Sequence, residues 1–184
     1  MKIQPTKIED VKVLEPRVFG DERGYFYEGW NAHICETAGI ARNFVQDNFS
    51  RSRKGILRGL HFQILHPQAK IIWANQGEIF DVAVDLRPES PTLGKWVGVR
   101  LSSENRLRLF IPEGFAHGFL VLSEMADVCY KVSDFWHPEY ERTLRWDDAG
   151  IGIEWPLDLT GPPSLNSRDA AAGSFAECCK QAAG

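Results

Sequence analysis

Short runs of hydrophobic residues, separated by polar turns, occupy most of the chain between residues 56 and 132. These runs are rich in β-branched and aromatic residues, which is typical of strands. Turn-forming groups such as Asn75-Gln76-Gly77 and Pro88–Thr92 lie between them. Many short strands at close spacing favour an all-β antiparallel sandwich or barrel over alternating strands and helices. Strands are therefore predicted at 70–73, 79–86, 96–101, 107–111, 119–122 and 128–132.

The first part of the chain adds a hairpin signal and one short helix. The turn Asp21–Gly24 precedes an aromatic strand predicted over 25–30. Asn31 suits the N-cap position of a helix over 32–38, and Gly39 is suited to end it.

Residues 44–50 are also predicted to be extended, and period-two alternation puts three polar side chains on one face. That face either meets solvent or lines a polar pocket; it consists of Gln46, Asn48 and Ser50.

No linker or internal repeat divides the chain, so residues 1–184 are predicted to form a single domain. Residues 1–30 supply edge strands with short apolar stretches. Residues 170–184 form a C-terminal tail, with a helix over 170–183 packed outside the barrel.

Composition narrows the function classes. With 43% hydrophobic and 25% charged residues, the chain is an ordinary globular protein, and its net charge of −4 argues against nonspecific nucleic-acid binding. No stretch resembles a signal peptide or a membrane span, so we expect a cytoplasmic protein without a membrane partner. The four cysteines lack zinc-site spacing and are expected to be reduced thiols: Cys35, Cys129, Cys178 and Cys179.

Two histidines stand out within the strand-rich region. The turn Pro112-x-Gly114-x-x-His117 fits the second motif of the cupin barrels, which are double-stranded β-helix jelly rolls. Metal-binding cupins take further ligands from a His-x-His pair and a carboxylate on an earlier strand. Here that strand offers only His61, because Gly59 and Gln63 occupy the positions two residues away, and His66 is poorly spaced to chelate with it. A resident metal is therefore not expected.

Without a metal, the chemistry must come from side chains. An imidazole such as His61 is suited to take a proton next to a carbonyl at neutral pH, and the cation of Lys70 would stabilise the resulting enolate. A weak acid on the opposite face, such as Tyr130, would return the proton and invert the carbon. Such an epimerase needs no cofactor. On its own, however, Tyr130 is more typical of a barrel-core tyrosine whose hydroxyl is bonded to backbone.

Several long motifs in the same order identify the chain as similar to the dTDP-4-dehydrorhamnose 3,5-epimerases, from about residue 2 to residue 169. They are Asp21-x-Arg23-Gly24-x-Phe26-x-Glu28, Asn48-x-Ser50-x-Ser52, Leu57-Arg58-Gly59-Leu60-His61-Phe62-Gln63, Asp81-Val82-Ala83-Val84-Asp85-Leu86-Arg87, Ser90-Pro91-Thr92-x-Gly94-x-Trp96 and Pro112-x-Gly114-Phe115-Ala116-His117-Gly118-Phe119. The resemblance implies a cupin-fold enzyme that epimerises dTDP-4-dehydro-6-deoxy-D-glucose at C3 and C5 through an enolate.

The resemblance also implies residue roles. His61 matches the general base, Asp169 the carboxylate that orients it, and Tyr130 the proton donor. Lys70 and His117 match contacts near the reacting sugar. Nucleotide and diphosphate contacts are matched by Arg23, Glu28, Gln46, Asn48, Arg58, Glu141 and Arg168.

The resemblance is inexact at Trp136, and it implies an assembly of two subunits. Trp136 stands where the family usually has a tyrosine that stacks on thymine, which keeps a flat ring but removes the hydroxyl. The resemblance also implies a homodimer. In it, Arg23 and Glu28 would reach the partner's site on an exchanged N-terminal strand. Taken alone, these two residues are typical of a surface ion pair on a hairpin.

Three other functions stay open. The nearest is a 3- or 5-mono-epimerase of another nucleotide-linked 4-keto-6-deoxy sugar, which the change at Trp136 suggests. A metal-dependent cupin dioxygenase or isomerase would carry stoichiometric metal. A non-catalytic sugar-nucleotide binder would have no use for a base that faces an acid.

Overall fold

The computed structural model describes residues 1–182, which form thirteen strands and three short α-helices. The strands are β1 Lys2–Pro5, β2 Lys12–Glu15, β3 Val18–Asp21, β4 Gly24–Tyr27, β5 Gln46–Arg53, β6 Leu57–Gln63, β7 Lys70–Gln76, β8 Glu78–Asp85, β9 Trp96–Ser102, β10 Arg108–Ile111, β11 Phe115–Val121, β12 Met125–Val132 and β13 Glu141–Thr143. The helices are α1 Ala32–Thr37, α2 Ser167–Ala170 and α3 Phe175–Ala182, and Pro138–Tyr140 adds one 3-10 turn.

Two antiparallel sheets face each other as a jelly roll. One has six strands in the order β1-β2-β10-β7-β12-β5, and the other has five in the order β13-β6-β11-β8-β9. The prediction of an all-β, cupin-type barrel with short peripheral helices is confirmed.

The space between the sheets is filled by aliphatic and aromatic side chains from both inner faces. Burial of a Val, Leu, Ile or Phe side chain stabilises the folded state by about 1.5–3 kcal/mol relative to leaving it in water. Representative members of this core are Ile72, Ala83, Leu109, Phe119 and Val128.

Each sheet also has a covered outer face. The helix α1 and the loop after it cover the six-stranded sheet, where Cys35 and Ile40 pack with Leu14 and Ile71. The C-terminal segment covers the five-stranded sheet with a second apolar cluster that includes Leu60, Leu120, Ile151, Trp155 and Cys178. A polar cavity lies among residues of both sheets.

The predicted helix after Asn31 is confirmed. The Asn31 side chain accepts a hydrogen bond from the Ile34 N–H at 3.0 Å, and Gly39 follows the helix with a φ of +81°. This is the capping pattern expected from the sequence.

The predicted C-terminal helix over 170–183 is wrong in its bounds. Residues 167–170 form the separate helix α2, and α3 begins at Phe175, while residues 183 and 184 lie outside the described part. The break follows from a capping box: the Ser174 N–H donates to Glu177 at 2.8 Å and the Glu177 N–H donates to the Ser174 hydroxyl at 3.4 Å.

The bounds of several strands differ from the predicted ones, because pairing with neighbouring strands extends or shortens them. The strand predicted at 119–122 begins at Phe115 in β11, because residues 115–121 pair continuously with β8. The aromatic strand predicted over 25–30 ends at Tyr27, where its partner β3 begins. The segment predicted over 44–50 is β5, Gln46–Arg53.

The hairpin β3–β4 forms a two-stranded sheet of its own. It exposes large apolar side chains, namely Val18, Phe19, Tyr25 and Phe26. Among residues 1–182, no helix combines the length and the hydropathy that crossing a bilayer requires.

Candidate active site

The imidazole of His61 on β6 is hydrogen-bonded to the carboxylate of Asp169 on α2, with 2.7 Å between Nε2 and Oδ1. Asn166 caps α2 by accepting the Asp169 N–H at 2.7 Å, which holds Asp169 in the first turn of the helix. Burial alone would raise the pKa of Asp169, but the hydrogen bonds from His61 and Gly59 and the charge of Arg168 outweigh it, so this pKa is lowered. Asp169 is therefore an anion at neutral pH.

A β-bulge in β6 aims His61 and Arg58 into the same cavity. His61 pairs with His117 and Arg58 pairs with Phe119, so three steps along β6 oppose two along β11. The extra residue breaks strict alternation, which would have put Arg58 and His61 on opposite faces. Gly59 lies in the bulge at a φ of +114°, and a Cβ there would meet the Gly118 Cα at 2.6 Å.

The bulge also frees a backbone donor. The Gly59 N–H donates to Asp169 Oδ2 at 3.2 Å, while His61 occupies Oδ1. Both oxygens of Asp169 are thus held, and the carboxylate fixes the imidazole plane. Since Nε2–H points to Asp169, Nδ1 of neutral His61 is left with the lone pair that can take a proton.

His117 forms a second histidine–carboxylate pair, with 2.8 Å between its Nε2 and Asp81 Oδ1. Burial lowers the pKa of His117 against the opposing pull of Asp81, which keeps the imidazole neutral near pH 7. Asp81 itself is completely buried. Sequence reasoning did not assign Asp81 to the site, although a carboxylate within the apolar run 79–84 was a usable signal.

Lys70 opens β7, lines the cavity and is 8% exposed. Its desolvation lowers the pKa to about 8, although the charges of Glu141 and Asp81 pull it upward. Among residues 1–182 no carboxylate forms a salt bridge with it. The ammonium is therefore charged at pH 7 and available to a negatively charged ligand.

Tyr130 on β12 reaches the cavity from the six-stranded sheet, whereas His61 and His117 reach it from the five-stranded sheet. The rings of Tyr130 and His117 are 6.5 Å apart. Burial raises the pKa of Tyr130, so its phenol is protonated at neutral pH. A base and a protonated acid thus approach one cavity from opposite sheets.

Three side chains form the rim next to His61. The Nε1–H of Trp136 donates to Glu141 at 3.2 Å, and Arg168 forms an ion pair with the same carboxylate. Arg168 Nη2 is also 3.0 Å from His61 Nε2. A guanidinium can only donate, and Nε2 already carries the proton directed to Asp169, so this contact is a close approach rather than a hydrogen bond.

The opposite wall comes from β5 and contains the polar face predicted there. The Gln46 amide donates to Asn48 at 2.8 Å, and Arg58 donates to Ser52 at 2.9 Å. Because Gln46, Asn48 and Ser50 line the cavity, the alternation on β5 marks a polar pocket rather than a solvent face.

The cavity has a volume of about 290 Å³. Ten of the residues proposed from sequence line it: Gln46, Asn48, Arg58, His61, Lys70, His117, Tyr130, Trp136, Glu141 and Arg168. Ser50 also lines it, as part of the polar face predicted on β5, and sequence reasoning did not assign three further lining residues, Gln68, Gly118 and Phe119. Three cations against one carboxylate make the lining positive in an otherwise acidic protein, which favours an anionic ligand.

Arg23 and Glu28 do not join the cavity lining of the described chain. Arg23 pairs with Asp21 on the exposed hairpin, and Glu28 accepts from the Asn31 side chain at 3.1 Å. The suggestion that Arg23 and Glu28 pair with each other is wrong, since each has a different partner.

The chain is similar to known proteins of one family. Residues 5–177 match the family model described as dTDP-4-dehydrorhamnose 3,5-epimerase. A relative of that name from Pseudomonas aeruginosa is 53% identical over 178 residues, covering 96% of this chain and 97% of its own.

Two solved structures that are similar to this chain carry different activities in their names. The dTDP-6-deoxy-D-glucose-3,5-epimerase of Legionella pneumophila, solved with dTDP-4-keto-L-rhamnose, is 50% identical and has a TM-score of 0.91. The match covers 96% of this chain and 96% of that one. The 3'-monoepimerase ChmJ of Streptomyces bikiniensis, solved with dTDP-quinovose, is 31% identical with a TM-score of 0.86, covering 94% of this chain and 87% of that one. The chain belongs to the dTDP-4-dehydrorhamnose 3,5-epimerase family of isomerases.

Proposed function

We propose that this protein epimerises dTDP-4-dehydro-6-deoxy-D-glucose at C3 and C5 to dTDP-4-dehydro-L-rhamnose, without a cofactor. The observation that carries the proposal is the cavity that His61, paired with Asp169, and Tyr130 line from opposite sheets, with the Lys70 ammonium in the same lining. A base, an acid and a buried cation are the groups that an enolate mechanism requires.

The chemistry proceeds one carbon at a time. Nδ1 of His61 takes the proton from a carbon next to the C4 ketone, and the C–H electron pair moves toward the carbonyl to give an enolate. The Asp169 carboxylate stabilises the imidazolium, and Lys70 stabilises the oxyanion. Tyr130 then gives its proton to the opposite face of the carbon, which inverts it. Exchange with water restores the phenol and the neutral imidazole before the second carbon reacts.

The remaining cavity residues hold the nucleotide and the sugar. Arg58 and Arg168 suit the diphosphate, because a guanidinium fork matches phosphate oxygens. Trp136 supplies a flat face for thymine. Polar contacts to the nucleotide and sugar come from Gln46, Asn48, His117 and Glu141.

A homodimer completes this picture. The hairpin β3–β4 exposes Phe19 and Phe26 and carries Arg23 next to them. An exposed apolar hairpin is typical of a surface that a second subunit covers. In the dimer, strand exchange brings Arg23 and Glu28 to the partner's cavity, where they add nucleotide contacts. We also place the protein in the cytoplasm, because its four cysteines are unpaired.

Deuterium wash-in tests the reaction. The protein is incubated with dTDP-4-keto-6-deoxyglucose in D₂O, and label is located by NMR. Label at both C3 and C5 with L-configured product is expected. Folded protein that introduces no label would remove the proposal, and His61→Ala should be folded but inactive.

Label at one carbon only would favour the second candidate, a mono-epimerase of a nucleotide-linked keto sugar. The specific observation behind this candidate is Trp136 at the rim of the cavity. Rates with dTDP- and CDP-linked substrates compared side by side report whether this ring alters the nucleotide preference.

Subunit complementation tests the dimer. If Arg23 acts in the partner's cavity, mixing inactive Arg23→Ala and His61→Ala subunits restores one intact site in each mixed dimer. After random exchange about a quarter of all sites are intact, as expected for a closed two-fold dimer. A mixture no more active than its components would contradict the strand exchange.

A further inference from the structure

A second cluster of metal-binding side chains lies outside the cavity. His66, Asp134 and His137 each offer one ligand atom, and these atoms all lie within 4.8 Å of one another. His66 is on the loop between β6 and β7, and the other two are on the loop that follows β12. The proposed reaction uses none of the three.

The spacing within the cluster suits a small transition-metal ion. Nδ1 of His66 is 3.3 Å from Oδ2 of Asp134. Zinc bonds of about 2.0–2.1 Å in tetrahedral geometry place neighbouring ligand atoms roughly 3.3 Å apart. The rings of His66 and His137 are stacked with centroids 4.3 Å apart, so the two imidazoles are neighbours, and a turn about their side-chain bonds directs one nitrogen of each at a shared ion.

Two side-chain amides, from buried Gln63 and half-buried Gln68, hold the backbone of all three residues. The Gln63 side chain donates to the His66 carbonyl at 2.6 Å and accepts the His137 N–H at 2.7 Å. The Gln68 side chain donates to the Asp134 carbonyl at 2.8 Å. These contacts tie two separate loops to β6 and to each other, which gives the preorganised support that a metal site needs.

The side-chain atoms of the cluster are available. Asp134 Oδ1 accepts the Phe135 N–H at 2.7 Å, which fixes the carboxylate and leaves Oδ2 facing His66. Glu139 lies 3.7 Å from Nδ1 of His137, in the position of an outer carboxylate that steadies a ligating imidazole. All three ligand residues are partly exposed, so an ion can enter from solvent.

We propose that His66, Asp134 and His137 bind one divalent transition-metal ion, zinc being the expected occupant. Two imidazoles and one carboxylate favour zinc or its neighbours over magnesium or calcium, which prefer oxygen ligands. Water would fill the fourth position. The ion would clamp the loop that carries Trp136 to the loop after β6, and so hold that ring at the rim of the cavity.

Calorimetric titration of metal-free protein with ZnCl₂ tests the site. One equivalent should bind to the wild type, and His66→Ala and His137→Ala should each weaken binding more than about 100-fold, since loss of an outer partner alone costs 10–100-fold. His33→Ala, on the exposed surface of α1, is the matched control and should bind normally. Wild-type affinity in either cluster variant would overturn the proposal.

Two further measurements separate this site from the cavity. Co²⁺ should give the intense visible bands of a four-coordinate ion with wild type and with His61→Ala, but not with His66→Ala. Zinc should also raise the melting temperature of the wild type and leave that of His66→Ala unchanged. Loss of binding in His61→Ala with retention in His66→Ala would place the ion in the cavity and refute the assignment. Because the readouts are binding and stability, failure here would leave the proposed epimerase activity untouched.

Discussion

The Nε2 atom of His61 lies 2.7 Å from Oδ1 of Asp169, although 108 residues separate them along the chain. The bulge at Gly59 and the cap at Asn166 create this contact from two directions, one by aiming the imidazole and the other by holding the carboxylate. The contact fixes which imidazole nitrogen carries a proton in the resting protein. Removal of the Asp169 charge should therefore impair proton abstraction by His61.

Asp169→Asn should lower kcat by about 10²–10⁴-fold, because the imidazolium formed during proton abstraction loses its counter-ion. Steady-state rates at pH 7 measure this loss. Asp158→Asn, at an exposed position, serves as the control. A kcat equal to that of the wild type would show that Asp169 does not orient the base.

Activity should fall on the alkaline side near pH 8. The pKa of Lys70 is about 8, so its ammonium is lost as the pH rises through that value, and the enolate then lacks its cation. Lys70→Arg keeps its charge at higher pH and should move this limb upward if the larger side chain fits. An alkaline limb that stays in place in a folded, active Lys70→Arg would assign it to another group.

Lys70→Met should abolish activity and yet stabilise the fold. The folded-state pKa of Lys70 is lowered to about 8 from 10.5, so the buried ammonium destabilises the protein fully below pH 8, and this cost fades as the pH rises toward 10.5. A shift of this size corresponds to at most about 3 kcal/mol at pH 7. Urea unfolding at pH 7 and pH 10 measures the gain, which should shrink at the higher pH.

The matched control for that experiment is Lys95→Met, which removes an exposed lysine. Its free energy of unfolding should change by less than about 0.5 kcal/mol. A Lys70→Met variant that is less stable than the wild type at pH 7 would contradict the desolvation argument.

Tyr130→Phe should separate proton removal from proton return. The ring keeps its packing, but the hydroxyl proton is gone, so inverted product should form about 10²–10⁴-fold more slowly. Deuterium exchange with retention should persist, because His61 can return solvent-derived deuterium to the face it came from. Tyr140→Phe, outside the cavity lining, is the control. Normal inversion by Tyr130→Phe would assign the acid to another group or to water.

Trp136→Ala should weaken nucleotide binding and leave the chemistry intact. Stacking of a base on an aromatic ring contributes about 1–3 kcal/mol, so KM and the Kd for dTDP should rise between about 5-fold and 150-fold with kcat nearly constant. Phe135→Ala removes the adjacent exposed ring and should have little effect. A Kd that changes equally in both variants would mean that the loop, rather than the Trp136 ring, determines affinity.

Features that depend on neighbours along the chain follow from the sequence alone. The alternating polar face of β5, the Asn31 cap of α1 and the strand-rich middle of the chain all follow from local periodicity and capping. Ordered motifs then identified the family and ten of the cavity residues. The capping box Ser174-x-x-Glu177 was equally local but was missed, and so the C-terminal helix was predicted to begin too early.

How those residues meet depends on contacts between distant parts of the chain. Simple alternation puts Arg58 and His61 on opposite faces, and the bulge that unites them arises from pairing β6 against β11. The partnership of Asp81 with His117 depends on the register between β8 and β11. Likewise His66 meets Asp134 and His137 only because two loops converge. Register and loop convergence are set by contacts between residues far apart in the chain, which local propensity does not encode.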